Sequence, residues 1–439
     1  MRRATTALFL PLLLLLAGAA RADDGRVLGA DGEVYSVQRG SYKSLFASPP
    51  AGWGGNVVLA LDIRKGGKLQ RVLVPGTDGP EKEESPSVAI ERATNQGFVV
   101  WAGDGVLNLI GFGDEGWGDV FELSGDPSSD KRNPQLTTTV DRYQRLGPDG
   151  ELVPASRTIL HLVWFDQGAA GDRVLYTPLV IEDGDVVRSN RIFDLAEIAG
   201  GPAASEGDAG GLRERPQLRG GDATVAIGFV PPGSLDLVTV ELRSIGGELA
   251  FLADKARAVV IDWGRSNPGQ SRGAIADKAR AVVIDWGRRL LQPTLADVLA
   301  KTFLDHFAAS DPAVALEDAA DQARGRMLDE GVALRLGTAG QDAPEVLELA
   351  RGDAVGSTSH LLEVREPVRR ALPELGAAPA RILLSPGGAE AALAWTEGDQ
   401  VRYRETGGEG WSGVKSLTLD AALDLDQAFT LLEQRLDGN

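Results

Sequence analysis

Residues Gly113–Leu123 read GDEGWGDVFEL, and Gly407–Leu417 read GGEGWSGVKSL. Aligned without gaps, Glu115 falls on Glu409, Gly116 on Gly410, Trp117 on Trp411, Val120 on Val414 and Leu123 on Leu417. Another tryptophan stands 16 residues before each: Trp101 before Trp117, and Trp395 before Trp411. These earlier tryptophans close the β-like runs GFVVW and AALAW. A further 15 or 16 residues back stand Pro86 and Pro379. The repeating unit is therefore about 40 residues long: proline, strand, loop, strand ending in Trp, short acidic turn, strand, glycine turn, Trp strand.

Two looser copies follow the same order. One starts at Pro134, with Trp164 in the strand-end place and Tyr176 echoing Tyr403; the other starts at Pro216, with Phe229 replacing the tryptophan. The opening stretch supplies four more short β-like runs. A period of 40 to 50 residues with four strands in each predicts a β-propeller, because such a unit cannot bury both its faces alone. The fold class is all-β with a helical insertion. Five four-stranded blades are counted, within a range of four to seven, at roughly 26–76, 85–124, 133–194, 215–245 and 379–419. Blades one to four occupy 23–246, the insertion 247–378, the last blade 379–419 and a C-terminal helix 420–439. A β-sandwich with coincidental similarity is the competing architecture.

The tryptophan turns resemble those of secreted bacterial propellers of the sialidase-like (BNR-repeat) superfamily, whose Asp-box turn reads roughly S-x-D-x-G-x-x-W. This chain keeps a glycine and the tryptophan, with Glu115 and Glu409 beside them. Arg132-Asn133-Pro134 has the spacing of that family's Arg-x-Pro motif. The resemblance implies a propeller. Sialidase chemistry needs three arginines, a Tyr–Glu nucleophile pair and an acidic proton donor. No second or third arginine of the triad can be placed, so the resemblance carries the fold and not the activity.

Residues 1–22 have the pattern of an export leader: Arg2 and Arg3, an apolar core, then Ala20-Arg21-Ala22 as a cleavage signal. The expected location is periplasmic or extracellular. Without Arg2, Arg3 and Arg21 the chain keeps 42 basic against 63 acidic residues, a formal charge of −21. Such a surface repels phosphate backbones and anionic membranes and favours cations or basic partners. Cysteine is absent, which removes disulfides, thiol catalysis and thiolate zinc sites.

Between 247 and 378 the texture becomes helical. ADKARAVVIDWGR occurs at 253–265 and again, letter for letter, at 276–288. Leu252, Ala256, Val259 and Trp263 form an amphipathic stripe, with Gly264 and Gly287 expected as helix stops. TLAD at 294–297 reads as a capping box, and Asp311-Pro312 as the opening of another helix. These helices read as a cap over the propeller, with a docking arm as the alternative. One more amphipathic helix closes the chain.

Propellers bind at one mouth of their channel. The loops there join strand two to strand three, and strand four to the next blade. Asp104, Asp166 and Glu397 belong to the first set; Arg132 and Arg215 belong to the second. A ring of acids and arginines suits a glycan, a peptide, a cation or a protein partner. Solvated turn residues are the plain alternative. His161 reads as a core histidine within TILHLVWF, and His161, His306 and His360 are not spaced as zinc ligands. GDGVLN and LDLDQA lack the calcium-loop pattern. No cofactor motif, P-loop or nucleophile elbow is present, and no catalytic residue is assigned. The expectation is an exported binding or scaffold protein. The alternatives are a carbohydrate-active hydrolase with paired carboxylates at the mouth, and an envelope-assembly adaptor acting through the helices.

Overall fold

A computed structural model describes residues 27–29, 31–46, 57–77, 84–91, 94–123, 128–146, 152–169, 171–182, 185–187, 192–200, 212, 214–221, 223–245, 247–336, 346–349, 360–373, 380–385, 388–407, 410–419 and 425–436. Residues 1–22, read from sequence as an export leader, lie outside the described residues, as do Pro379 and Glu409.

The described chain is mostly β, arranged in five antiparallel sheets that follow one another in sequence. The first holds β1 (Val27–Leu28), β2 (Val34–Ser41), β3 (Val57–Lys65) and β4 (Lys68–Leu73), with the single turn α1 (Tyr42–Leu45) after β2. The second holds β5 (Glu84–Glu91), β6 (Gln96–Gly103), β7 (Val106–Gly113) and β8 (Gly116–Leu123). The third holds β9 (Asp130–Leu146), β10 (Leu152–Gly168), β11 (Gly171–Glu182) and β12 (Asp185–Val187). Also on β11 is β13 (Phe193–Asp194), followed by α2 (Leu195–Ile198).

The fourth sheet begins with β14 (Gln217–Gly220), β15 (Thr224–Phe229) and β16 (Asp236–Ile245). Helices α3 (Gly247–Ser266), α4 (Arg272–Leu290), α5 (Pro293–Ala309) and α6 (Leu316–Leu336) then intervene. After them the chain returns to the same sheet through β17 (Val346–Leu349), β18 (His360–Val364) and β19 (Val368–Ala371). Residues 346–371, assigned from sequence to the helical insertion, thus include outer strands of the fourth sheet. Short apolar runs without helical period pair with a strand already waiting for them. The fifth sheet holds β20 (Ala380–Leu384), β21 (Ala391–Glu397), β22 (Gln400–Gly407), β23 (Gly410–Trp411) and β24 (Lys415–Thr418), and α7 (Leu425–Leu436) follows.

The repeated phrase now has a physical meaning. Each copy makes the two-residue turn between third and fourth strands: Gly113 pairs Gly116 across one turn, and Gly407 pairs Gly410 across the other. The register agrees further out, with Leu107 opposite Leu123 and Val401 opposite Leu417. Gly116 and Gly410 have φ of +106° and +139°, a region that side-chain-bearing residues avoid.

Every neighbouring pair of sheets shares one apolar cluster. The strand-end aromatic of each repeat packs in the cluster shared with the preceding sheet: Trp101 between first and second, Trp164 between second and third, Phe229 between third and fourth, and Trp395 between fourth and fifth. That packing is why the aromatic recurs. The other face of the fifth sheet is covered by α7, whose Ala428, Phe429, Leu432 and Leu436 meet Leu383, Ala392, Ala394 and Val401. Glu433 of α7 accepts from Arg219 of β14 at 3.1 Å, a buried ion pair. No closed ring of sheets is seen among the described residues.

The four long helices share a single core, each packed on the next and α6 packed back on α3. The duplicated segments adopt equivalent faces. Ala253, Ala256 and Val260 are buried in α3, as are Ala276, Ala279 and Val283 in α4. Their arginines divide between two partners. Arg257 and Arg265 pair with Asp321 and Glu317 of α6, while Arg280 and Arg288 pair with Asp305 and Asp297 of α5. Gly264 and Gly287 lie within helices and stop neither; each gives room to a close neighbour, Leu316 and Ala296 respectively. Thr294 is likewise inside α5, whose Gln292 N-cap makes no side-chain cap and whose first turn begins at Pro293. Asp311 closes a local turn to Ala313 N, and α6 starts only at Leu316.

These close approaches give a paired expectation. A Cβ on Gly325 of α6 would meet open space, so Gly325→Ala should stabilise by about 1 kcal/mol through helix propensity. A Cβ on Gly331 in the same helix would fall 2.5 Å from buried Leu249. Gly331→Ala should therefore lose more by overpacking, about 1–3 kcal/mol, than propensity returns. Melting temperatures moving in opposite directions support the packing described; a rise in both contradicts it.

Candidate functional site

Strand direction sorts the loops onto two ends. First strands start, and second strands finish, at what is called here the upper end. The long connection carrying α3–α6 leaves β16 at the lower end, where Ser244 N donates to Ala223 O beside the β14–β15 turn. α3 packs on β9 and β18, so the helices sit away from the upper end of these sheets.

At the upper end the first strands of the second and third sheets carry matching bulges. Ser85 and Pro86 together oppose Trp101, and Asn133 and Pro134 together oppose Trp164. Proline has no N–H for the ladder, so an extra residue is accommodated there. Ser85 and Asn133 take φ of +47° and +48°, each immediately before a proline. Such residues favour extended backbone, and the left-handed region costs about 1–3 kcal/mol. Of four non-glycine residues with positive φ among the described ones, three lie here: Ser85, Asn133 and Asp104. The side chains join the sheets in a chain. Ser85 Oγ donates to Asn133 Oδ1 at 3.0 Å, and Asn133 Nδ2 donates to Glu214 O at 2.7 Å, just ahead of the fourth sheet.

The five residues singled out from sequence are placed as follows. Asp104 is exposed at the tip of the β6–β7 hairpin, whose two-residue loop Asp104-Gly105 has φ of +45° and +79°. That geometry is the reason for an Asp-Gly pair. Arg132 is half-buried and held at 2.6 Å by Asp130 and at 3.5 Å by Glu214. The bond to Asp130 raises its pKa further, so the guanidinium stays charged. Arg215 is exposed beside Glu214, its N–H donating to Leu212 O. Glu397 is exposed at the β21–β22 turn and pairs at 2.7 Å with Arg402 of its own sheet.

Asp166 differs from the rest, because it is buried at 1% exposure. Its Oδ1 accepts from Ser129 Oγ at 2.7 Å and its Oδ2 from Arg173 Nη2 at 2.9 Å. Lys131 Nζ lies 3.9 Å away and is as deeply buried. Lys131 also donates to Gly105 O at 2.6 Å, tying the Asp104 turn to the third sheet. Lys131 thus links Asp166 to the turn that carries Asp104, while neighbouring Arg132 turns to Asp130 and to Glu214, which Arg215 follows. No contact joins Glu397 to them among the described residues. Sequence reading missed Ser85, Ser129, Lys131, Asn133 and Arg173. The X-Pro step before each first strand was the available signal for Ser85 and Asn133; a lysine in a polar stretch gives none of its burial.

Lower down the third sheet, His161 is buried between two hydroxyls. Its Nε2 lies 2.8 Å from Thr139 Oγ1 and its Nδ1 2.7 Å from Tyr176 Oη. Burial pushes the Tyr176 hydroxyl well above the usual phenol range, so it stays protonated. This is a satisfied core network across three strands, consistent with the plainer reading of that histidine. Among the described residues no group of three or more His, Asp or Glu could hold a metal ion. None of the described helices is long and apolar enough to cross a membrane. No family model matches the chain, and no curated protein matches it significantly.

Proposed function

We propose that the chain is an exported, five-bladed β-propeller of the sialidase-like kind that works by binding, in the periplasm or outside the cell, through the upper end of its second to fourth sheets. Support for the propeller comes from five antiparallel sheets in chain order, of four to six strands each, each packed on the next through a recurring strand-end aromatic. The observation that carries the binding reading is the collection of strained backbone at one end. Ser85 and Asn133 hold left-handed conformations before proline that the surrounding sheets must sustain, and such outliers gather at ligand sites. Exposed Asp104 and Arg215, with Arg132 between them in chain order, offer charged donors and acceptors to a glycan or a peptide.

Hydrolysis is the weaker reading. Asp166 is shielded from solvent and bonded to Ser129 and Arg173, so it is not a free acid or base. The test is a glycan, peptide and metal screen on the mature protein, read by thermal shift, with an Asp104→Ala, Arg215→Ala variant beside the wild type. A ligand that stabilises only the wild type supports the upper end as the site. A ligand that stabilises both equally moves the site elsewhere, with the helices next in line. Turnover of a glycan that survives in the wild type and dies in Asp104→Ala would replace the binding reading with a hydrolase.

A further inference from the structure

Lys131 is an ammonium group enclosed by the protein. Its side chain is 1% exposed, and Nζ has Gly105 O at 2.6 Å, Ser129 Oγ at 2.9 Å and Ser129 O at 3.4 Å around it. Asp166 Oδ1 stands at 3.9 Å and supplies the negative charge. These oxygens come from two different sheets, since Gly105 lies in the β6–β7 turn of the second sheet, while Ser129 stands just before β9 and Asp166 on β10 of the third. We propose that the Lys131 ammonium is a built-in structural cation. The oxygen cage around it is then a site for a small monovalent cation of the ammonium class, which becomes available when the side chain is removed.

Three features specify that class. Two of the three contacts around Nζ, at 2.9 and 3.4 Å, are longer than the 2.3–2.6 Å of calcium coordination, and the third, at 2.6 Å, stands at its upper limit. The charge of Asp166 is already half-committed to Arg173 at 2.9 Å, which disfavours a divalent ion. The donors that reach Nζ are mostly neutral oxygens, which suit an ion carrying one charge and several N–H groups. The cage has a job in the upper end: by gripping Gly105 O it fixes the turn that carries Asp104. That last step rests on the binding reading above, whereas the cage itself does not.

The experiment uses Lys131→Ala and Lys131→Met in the full mature chain, melted without any ligand. Both variants should melt about 5 °C or more below the wild type, because the carboxylate loses its buried partner. About 100 mM methylammonium should restore roughly half of that loss in Lys131→Ala by mass action. The same concentration of tetramethylammonium, too large for the cage, should restore none. Lys131→Met, whose side chain fills the space, should respond to neither, and the wild type should not respond. If Lys131→Ala fails to fold, its refolding yield in methylammonium against tetramethylammonium gives the same comparison. Equal effects of the two salts on Lys131→Ala, or rescue of Lys131→Met, overturn the cage. Failure of every glycan and peptide in the binding screen leaves this result untouched.

Discussion

Asp166→Ala should destabilise the protein by about 3 to 5 kcal/mol, among the largest effects of any single polar substitution in the chain. The carboxylate is buried and accepts from Ser129 at 2.7 Å and Arg173 at 2.9 Å. Its removal takes away the carboxylate 3.9 Å from the buried Lys131 ammonium, and a less compensated buried charge is costly. Asp166→Asn should lose less, because the amide oxygen still accepts from Ser129. A Lys131→Met, Asp166→Leu pair should recover part of the loss, since it removes the enclosed ammonium together with the carboxylate, while Arg173, which is 38% exposed, can turn to solvent. Glu397→Ala is the control: exposed and paired only at the surface, it should change stability by less than about 1 kcal/mol. Equilibrium denaturation with an unchanged m value measures all four. A loss below about 1 kcal/mol for Asp166→Ala would mean that water reaches the cluster, and the cage would fall with it.

Trp101→Ala should cost a comparable amount, about 3 to 5 kcal/mol. Trp101 is 2% exposed in the cluster shared by the first and second sheets, beside Val99, Leu59 and Leu61. Deleting the indole forfeits its transfer energy and opens a cavity that the flanking strands cannot close. Trp117 meets the same cluster from the β7–β8 hairpin, but it is only half-buried and leans on Phe112 at 5.1 Å. Trp117→Ala should therefore cost roughly half as much. The ordering carries the test. If Trp117→Ala proves the more damaging, the repeat is held by its outer turn and not by the strand-end aromatic. Near-ultraviolet circular dichroism of both variants would show which indole sits in the more rigid surroundings.

Most strands of the five sheets, β17–β19 excepted, were legible because a strand declares itself locally. β6 and β21 are short apolar runs that carry Trp101 and Trp395 near their ends, and a Gly-bearing turn follows each. The echo between Gly113–Leu123 and Gly407–Leu417 located the same turn twice, and the two ladders agree residue for residue at Leu107–Leu123 and Val401–Leu417. The helices were equally plain in their apolar stripe. Their ends were not. Gly264 and Gly287 look like stops, yet each sits inside a helix where a side chain of a neighbouring helix, Leu316 or Ala296, comes too close for an easy Cβ. Propensity describes one segment by itself, and close packing between segments overrides it.

The candidate site divides along the same line. Asp104, Arg132, Arg215 and Glu397 could be named from the chain because turns are written in local residues such as Asp-Gly and X-Pro. Asp166 was named as well, but as a surface acid. Only the tertiary structure encloses it with Ser129 and Lys131, and only there does Arg173 reach it from the next strand. By itself the sequence determined the strand repeat, the helical interruption, the absence of disulfides and the acidic surface. The tertiary structure decided that the fourth sheet takes up β17, β18 and β19 after the helices and that α7 covers the fifth sheet. It also decided that a lysine far from any motif is locked beneath the Asp104 turn. Burial and ion pairing depend on which distant segments meet, and that is a property of the packed chain, absent from any local stretch of it.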